Sequence, residues 1–185
     1  LGIGANAAIF GVVNGLLLRP LPVADPHRLV TISSDAAIAR GYTSGTGWSF
    51  AMWKALQPHV ALFDGALAWT PAHFDLAPGG ERQLVEGVFA SGGYFATLGI
   101  PAILGRTFAA TDDRPDGGPD GLVGVISYRF WQRRFGGSAS AVGSPLLVDG
   151  ATVTIVGVTP PEFFGVDVGR AFDVALPLET EPLIH

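Results

Sequence analysis

The chain has 185 residues, a length that suits one domain of ordinary size or one domain with a small insertion. Hydrophobic residues make up 48% of it, so a substantial core can be buried, and charged residues only 15%, a low share for a soluble domain. The net charge of −5 excludes the positive surface that binds nucleic acid, and the absence of cysteine excludes disulfides, thiolate metal sites and a cysteine nucleophile. Because the sequence does not begin with Met, we expect it to be part of a longer protein.

The first 18 residues, Leu1–Leu18, carry no charge, and Arg19 followed by Pro20-Leu21-Pro22 ends this run. As a helix the run is about 27 Å long, close to the roughly 30 Å of a bilayer core. It therefore predicts the end of a transmembrane helix over residues 1–20, with residues 21–185 outside the bilayer. A buried helix of a soluble domain and the apolar part of a secretory signal peptide remain open alternatives.

Small residues in this run follow a pattern that favours contact between membrane helices. The stretch Gly11-Val12-Val13-Asn14-Gly15 matches G-x-x-x-G, and glycines at this spacing let two helices approach closely. We therefore predict that Gly11 and Gly15 are helix-packing residues. The stretch Gly2–Ala7 also fits a dinucleotide-binding pattern, but no strand precedes it and two prolines separate it from Asp25, which argues against a nucleotide site.

Short strands and helices are predicted in alternation after the apolar run. Pro58 stops the first predicted helix, Pro78-Gly79-Gly80 provides a hairpin turn, and Gly99 can cap the second helix. The predicted elements of this half are a strand over Arg28–Ser34, a helix over Trp48–Gln57, a strand over Ala66–Thr70, a hairpin with arms His73–Ala77 and Arg82–Phe89, and a short helix over Gly93–Leu98.

The second half of the chain begins with a polar loop and then continues the alternation. Ser127 can cap a helix whose residues Tyr128, Trp131 and Phe135 fall on one face, which predicts the side turned to the core. Asp149-Gly150 is a strong hairpin turn. The predicted elements are a loop over Ala109–Gly121, a strand over Leu122–Ile126, a helix from Ser127 to Phe135, a hairpin with arms Pro145–Val148 and Ala151–Val158, and a strand over Phe172–Leu176. This order indicates an α+β sandwich, a small sheet with helices on one face.

Residues that commonly do chemistry are present, but not at the spacings that known sites require. The polar loop contains four aspartates, Asp112, Asp113, Asp116 and Asp120. Their spacing does not match a calcium loop, so we expect a solvated turn region. The histidines are too scattered for a zinc site, and neither a G-x-S-x-G nor a P-loop pattern is present. Arg133 and Arg134 favour a charge pair at a helix C-terminus over a phosphate site. We predict no catalytic, cofactor-binding or metal-binding residue.

Several short phrases follow one another along the chain. They are Leu18-Arg19-Pro20-Leu21-Pro22, Ser91-Gly92-Gly93-Tyr94-Phe95, Leu104-Gly105-Arg106-Thr107-Phe108 with Asp112, Trp131-Gln132-Arg133-Arg134-Phe135-Gly136-Gly137, and Val153–Val158 with Pro160, Phe163 and Gly165. In this order they resemble the periplasmic core domain of MacB/FtsX-type ABC transporter permeases, most closely the large duplicated permeases of acidobacteria. Each phrase alone is weak, whereas the ordered set is specific and covers nearly the whole chain.

This resemblance implies an architecture and a set of partners. It implies a porter-like α/β sandwich lobe over about residues 28–100, completed by 172–185, and a small inserted α/β lobe over about 101–171. The domain would lie in the periplasm, attached to the bacterial inner membrane. Its expected partners are a cytoplasmic ABC ATPase subunit or domain, the remaining transmembrane helices of the same permease, and a periplasmic adaptor. No cofactor and no nucleic acid are expected.

The function that follows is the coupling of cytoplasmic ATP hydrolysis to export or to mechanical signalling, by a domain that is not itself catalytic. Such coupling needs a stiff path out of the membrane, and Pro20 and Pro22 would stiffen it because proline fixes φ. We predict these two as mechanical linker residues. The alternative is a membrane-anchored periplasmic binding module without a transporter, and a hydrolase is a third class that the missing motifs disfavour.

Overall fold

A computed structural model describes residues 22–32, 48–77, 80–167 and 169–184 of the chain. Within these ranges seven strands form one mixed sheet, and short helices pack on it. The strands are β1 (Trp69–Asp75), β2 (Leu84–Ala90), β3 (Leu104–Gly105), β4 (Val123–Ile126), β5 (Pro145–Val148), β6 (Ala151–Val158) and β7 (Val174–Pro177). The α-helices are α1 (Phe50–Leu56), α2 (Tyr94–Leu98), α3 (Tyr128–Phe135) and α4 (Glu181–Ile184). Short 3-10 turns cover Pro26–Arg28, Gln57–Leu62, Ala139–Ala141 and Leu178–Thr180. The α+β class predicted from the sequence is confirmed.

The strand order is β1-β2-β7-β4-β6-β3, and β5 also pairs with β6. β2 and β7 are parallel, as are β4 and β6, and the remaining pairs are antiparallel. β7 is the last strand of the chain, yet it lies in the middle of the sheet between β2 and β4. β2 and β7 therefore finish side by side, and the segments that follow them, residues 91–99 and 178–184, start from the same place.

The sheet curls until the β5–β6 turn touches the end of β1. The Asp149 backbone N–H donates to the Asp75 carbonyl at 2.9 Å, and the Asp75 backbone N–H donates to Asp149 Oδ1 at 3.0 Å. Asp149 has φ 47° and Gly150 has φ 93°, the left-handed pair that a two-residue D-G hairpin turn requires. This hairpin was predicted from the sequence and is confirmed.

Two hydrophobic clusters lie on opposite faces of the sheet. On β7, Val174 and Leu176 belong to one cluster and Ala175 to the other, as expected when successive side chains of a strand alternate between faces. α2 packs in the cluster of Ala175, and Phe130 of α3 packs in the other. Helices therefore cover both faces, and the expectation of helices on one face only is wrong. The β2–β7 and β4–β6 pairs explain the difference, because parallel strands need crossover segments and these cover the sheet from both sides.

The hairpin of β1 and β2 is confirmed, but its first arm begins earlier than predicted. The segments 66–70 and 73–77 were expected to be two strands, and one strand, Trp69–Asp75, replaces them. The position of Pro71 explains the difference. Proline interrupts a central strand, whereas β1 is the edge strand of the sheet and can tolerate the missing backbone N–H.

The strand predicted over Arg28–Ser34 is wrong in the part of it that the structure describes. Residues 26–28 form a 3-10 turn, residues 29–32 belong to no strand, and residues 33–34 lie outside the described ranges. Val30 and Ile32 are exposed. A β-branched sequence favours a strand only where a neighbouring strand or face receives its side chains, and here none does among the described residues.

Both longer predicted helices are confirmed, with changes in detail. Ser49 caps α1, and the chain then continues past Pro58 as a 3-10 turn instead of stopping there. Ser127 caps α3 as predicted. The predicted core-facing side of α3 is wrong, because its buried residue is Phe130, 1% exposed, while Tyr128, Trp131 and Phe135 are half-buried. A short helix on a curved sheet buries a narrow stripe, and the flanking aromatic residues cover its borders.

Candidate functional site

The first described residues of the chain lie on α2, just beyond the end of β2. The Ala24 backbone N–H donates to the Leu98 carbonyl at 3.1 Å, and Val23 and Leu29 pack against the hydrophobic cluster that contains α2. Gly99 ends α2 with φ 67°, and a Cβ at this position would lie 2.5 Å from Ala24 Cβ. Only glycine combines this left-handed conformation with so close an approach of the N-terminal segment.

Of the four residues predicted for the membrane helix and the linker, the structure describes only Pro22. Pro22 is half-buried and begins the segment that leads to Ala24. Pro20, Gly11 and Gly15 lie outside the described residues, as does the whole predicted transmembrane segment 1–20. Among the helices that the structure does describe, none has the length and apolar character needed to cross a bilayer.

The segment that follows β7 is held at the same place by the half-buried carboxylate of Asp113. Asp113 Oδ1 accepts from the Glu179 backbone N–H at 2.7 Å, and Asp113 Oδ2 accepts from the Gly92 backbone N–H at 2.8 Å. Gly92 follows β2, and Glu179 follows β7. One side chain from the polar loop thus joins the ends of two neighbouring strands. Leu178, Thr180 and Ile184 of the same C-terminal segment are buried.

We call this region the junction: residues 22–29, residues 91–99, Asp113 and residues 178–184. α1 and the turn after it connect its parts from outside. Lys54 Nζ pairs with Glu179 Oε1 at 2.6 Å, and Arg28 pairs with Asp64 just after the turn. The N-terminal and C-terminal segments of the described chain are therefore both fastened around the ends of β2 and β7.

The electrostatics of Asp113 differ from those of an exposed carboxylate. Burial raises its pKa above the ordinary value of 3.8, and the nearby Glu179 charge acts in the same direction. The backbone hydrogen bonds from Glu179 and Gly92 and the charge of Lys54 oppose this rise without cancelling it. Asp113 therefore accepts hydrogen bonds from two backbone N–H groups, although its charge is partly removed from water, which is unfavourable.

The neighbouring Asp112 fastens the loop itself. Its carboxylate is 2% exposed and receives both Arg106 guanidinium nitrogens, Nη1 at 2.8 Å and Nη2 at 2.9 Å, as well as the Ala109 backbone N–H at 2.8 Å. Burial acts to raise its pKa, but the hydrogen bonds from Arg106 and Ala109 outweigh it and hold the pKa below the usual range. Arg106 also pairs with Asp120 at 2.8 Å.

The expectation of a solvated loop is therefore wrong for Asp112 and Asp113, which are structural groups. Their partners Arg106, Gly92 and Glu179 are up to 66 positions away, so spacing within the loop could not show them. One signal was present in the sequence, because the phrase Leu104–Phe108 with Asp112 places an arginine and an aspartate close together. Asp116 and Asp120 do remain exposed.

A cavity of about 250 Å³ opens between α1 and the residues after β2. Its lining includes Trp53, Ser91, Asp113 and Glu179. Ser91 Oγ accepts from the Ala68 backbone N–H at 3.0 Å, and both oxygens of Asp113 accept backbone hydrogen bonds, so these groups hold the walls together. In the part of the chain that the structure describes, no three His, Asp or Glu side chains are grouped so that they could hold a metal ion.

The arginines that end α3 have fixed partners elsewhere on the sheet. Arg133 pairs with Asp173 at 3.0 Å, next to Arg129, which pairs with the same carboxylate at 3.1 Å. Arg134 donates to Gln83 Oε1 at 3.1 Å. Arg133 and Arg134 occupy the last turn of the helix, as the charge-pair interpretation predicted, and also tie it to the starts of β2 and β7.

Known proteins resemble this chain in sequence and in fold. The sequence profile of the MacB-like periplasmic core domain matches residues 1–183. Among solved structures, the fold is similar to the extracellular domain of the noncanonic ABC-type transporter YknZ from Gram-positive bacteria, with 18% identity and a TM-score of 0.51 over 80% of this chain and 70% of that one. The periplasmic region of MacB from Actinobacillus actinomycetemcomitans has 13% identity and a TM-score of 0.47, over 72% of this chain and 63% of its own length. No curated protein matches the chain.

Proposed function

The chain belongs to the family of MacB-like periplasmic core domains, and from this premise we propose that it is the extracytoplasmic domain of an ABC transporter permease. In this proposal a cytoplasmic ABC ATPase hydrolyses ATP, and the transmembrane helices carry the resulting motion to the domain. The domain then drives export or transmits a mechanical signal, with a periplasmic adaptor as a further partner. It does no covalent chemistry itself.

The observation that carries the proposal is the junction. A domain that receives motion from membrane helices needs its two chain connections fixed to the folded body, since a loose connection would absorb the movement. The Ala24 backbone N–H donates a hydrogen bond to Leu98, and the Glu179 backbone N–H donates one to Asp113, whose carboxylate also accepts from Gly92. Both connections therefore end on neighbouring strands of one sheet, and a displacement of either one acts on β2 and β7 directly.

We also propose the division into a porter-like lobe, residues 28–100 with 172–185, and an inserted lobe, residues 101–171. The arrangement of strands supports it, because β1, β2 and β7 are neighbours on one side of the sheet and β3 to β6 form the other side. The pairing of β7 with β4 joins the two groups. In this division β7 belongs to the porter-like lobe and provides the mechanical link to the inserted one.

The N-terminal residues that lead to Ala24 have proposed roles in the same path. Gly11 and Gly15 would pack the first transmembrane helix against another helix, and Pro20 and Pro22 would stiffen the linker between that helix and Ala24. Pro22 lies two residues before the backbone hydrogen bond of Ala24, so the linker ends where the junction begins.

A linker replacement tests the proposal in the intact permease with its ATPase. Replacing Pro20-Leu21-Pro22 with Gly-Ser-Gly should lower transport per ATP hydrolysed by about 5- to 150-fold, the range of typical coupling free energies between distant sites. The matched control replaces Pro115 and Pro119, two exposed prolines of the polar loop, with glycine and should leave coupling unchanged. Unchanged coupling in the linker variant would count against a mechanical role.

The alternative, a membrane-anchored binding module without a transporter, makes a different prediction about the parent protein. A permease requires further transmembrane helices and association with an ATPase, whereas an anchored module requires neither. Purification of the intact protein from membranes decides between them. Co-purification of a nucleotide-hydrolysing subunit, or such a domain in the same chain, supports the permease, and its absence supports the module.

A further inference from the structure

Large exposed apolar side chains are concentrated on one stretch of the described chain. Leu62 is 88% exposed and Val30 is 70% exposed, values unusual for residues of this type. We define the apolar patch as the exposed large hydrophobic side chains Val30, Ile32, Phe50, Met52, Leu62 and Phe63. Single exposed apolar residues are ordinary on protein surfaces, whereas several of them on neighbouring segments can together form a contact surface for an apolar partner.

The apolar patch borders the junction without sharing a residue with it. Its residues belong to the N-terminal segment, to α1, and to the end of the 3-10 turn with the residue after it. The Arg28–Asp64 pair joins the N-terminal segment to the chain just after that turn. Trp48 is also exposed, and its indole N–H donates to the Ile32 carbonyl at 2.9 Å, which ties the start of α1 to the N-terminal segment. Lys54 of α1 holds Glu179 of the C-terminal segment.

The junction is also the described region that connects to the uncharged N-terminal residues of the chain. Pro22 starts the described part of the junction, and the 18 residues Leu1–Leu18 that precede it carry no charge. On the proposed function these residues enter the bilayer, so the junction is the part of the domain nearest the membrane. An apolar, aromatic surface beside such a point has the composition that favours the interface between lipid headgroups and acyl chains.

We propose that the apolar patch rests in the membrane interface, with Phe50, Leu62 and Phe63 inserted among the lipids. This inference rests on the proposed function and names a contact that the function alone does not require. The contact would support the domain on the bilayer, so that movement of the first transmembrane helix acts on β2 and β7 against a fixed base. Trp48 fits the same location, because its ring is apolar and its N–H already has a partner.

The charges around the patch indicate which kind of lipid contact is involved. In the described residues between 22 and 64, the arginine and lysine side chains are Arg28 and Lys54, and each is paired with a carboxylate. The described part of the patch therefore offers no unpaired positive side chain of arginine or lysine to anionic headgroups. Its contact with lipid should be apolar and should depend little on salt or on the fraction of anionic lipid.

The test measures depth in the membrane at two leucines of the intact permease in lipid nanodiscs. The chain contains no cysteine, so single cysteines can be introduced as Leu62→Cys and, as the matched control, Leu84→Cys, once any cysteines elsewhere in the parent protein are replaced. Leu84 is 60% exposed and starts β2, whose seven residues span roughly 20 Å from the junction. Each cysteine receives a fluorophore, and lipids with a nitroxide near the headgroup act as quenchers.

The label at position 62 should lose at least about half of its fluorescence in nitroxide lipid, and the label at 84 should lose almost none. A Phe50→Cys label provides a second position if the first variant does not fold. Absence of quenching at 62 and 50, or equal quenching at 84, overturns the inference. Quenching that disappears in zwitterionic lipid or in high salt overturns the apolar mode of contact.

The same samples separate this inference from the proposed function, because ATP hydrolysis coupled to transport is measured beside the quenching. Intact coupling without quenching at 62 overturns the membrane contact alone. Quenching at 62 in a protein that couples to no ATPase overturns the permease function and leaves the contact standing.

Discussion

Two adjacent aspartates show how position in the fold, at the scale of single residues, decides what a side chain does. Asp112 meets the Arg106 guanidinium, and the pKa of Asp112 is lowered. Asp113 meets backbone N–H groups and lies near the Glu179 charge, and burial raises its pKa. The same residue type one position apart thus forms an ion pair with an arginine just before the loop in one case, and joins the ends of two strands in the other.

Removal of the Asp112 charge should destabilise the fold. Asp112→Asn keeps the shape but weakens the paired hydrogen bonds to Arg106, and we expect the free energy of unfolding to fall by about 1–3 kcal/mol, reduced from the value for a fully buried pair because Arg106 is 43% exposed. Urea-induced unfolding measures this loss.

The matched control is Asp116→Asn in the same loop. Asp116 is 66% exposed and pairs with the exposed Arg114, so its loss should cost less than about 0.5 kcal/mol. Equal effects of the two variants would mean that the buried ion pair does not stabilise the loop.

The raised pKa of Asp113 predicts how stability changes with pH. The folded state takes up this proton at a higher pH than the unfolded state, whose pKa is near 3.8. Asp113 therefore adds stability as the pH falls from its folded pKa towards 3.8. Asp113→Asn removes this gain. The free energy of unfolding of the wild type minus that of the variant should therefore increase as the pH is lowered from about 7 to about 4.

Urea unfolding of both proteins across this pH range measures the difference. Asp75 and Asp112 have lowered pKa values, so their contributions to stability decrease as the pH falls below about 3.8. Both proteins contain these two groups, so their contributions cancel in the difference. A difference that stays flat or falls on acidification contradicts the burial of Asp113 as a charged group.

At the scale of elements, two glycines end helices in the same way but face different surroundings. Gly99 ends α2 with φ 67°, and Gly136 ends α3 with φ 58°. A Cβ at Gly99 would meet Ala24, whereas a Cβ at Gly136 would meet no atom within 4 Å. The first glycine therefore serves both the helix end and the attachment of the N-terminal segment, and the second serves the helix end alone.

This pair yields a prediction about the junction. Alanine at either position should cost about 1 kcal/mol for the left-handed conformation. Gly99→Ala should in addition displace the N-terminal segment and lower transport per ATP hydrolysed in the intact permease by about fivefold or more. Gly136→Ala should fold with a similar loss of stability and retain coupling, and loss of coupling in both variants would show that stability alone is responsible.

At the scale of the whole molecule, one sheet and two hydrophobic clusters connect the two proposed lobes. β7 pairs with β2 of the porter-like lobe and with β4 of the inserted lobe. The cluster around Phe74 of β1 also contains Phe130 of α3 and Val153 of β6. The contact between Asp75 and Asp149 adds a second connection where the sheet curls.

The two lobes should therefore unfold together. We expect calorimetry of the purified chain to show one transition, with equal calorimetric and van't Hoff enthalpies, as for a single cooperative unit. Two separate transitions would show that the lobes fold independently and that the β7–β4 pairing contributes little.

The sequence by itself determined the local parts of this protein. The Asp149-Gly150 turn, the Ser127 cap and the Gly99 helix end follow from residues a few positions apart, and all were predicted. The ordered phrases also led to the family. Such features are local because a turn or a cap is satisfied by the residue's own φ preference and by its nearest backbone groups.

Only the tertiary structure decided which side chains act together. The fastening by Asp113, the approach of Ala24 to Gly99 and the side of α3 that is buried all depend on residues distant in the chain. The missing strand after Arg28 has the same origin, since Val30 and Ile32 have strand propensity but no described strand beside them. Burial and pairing are properties of neighbours in space, and a single sequence specifies those neighbours only once the sheet order is known.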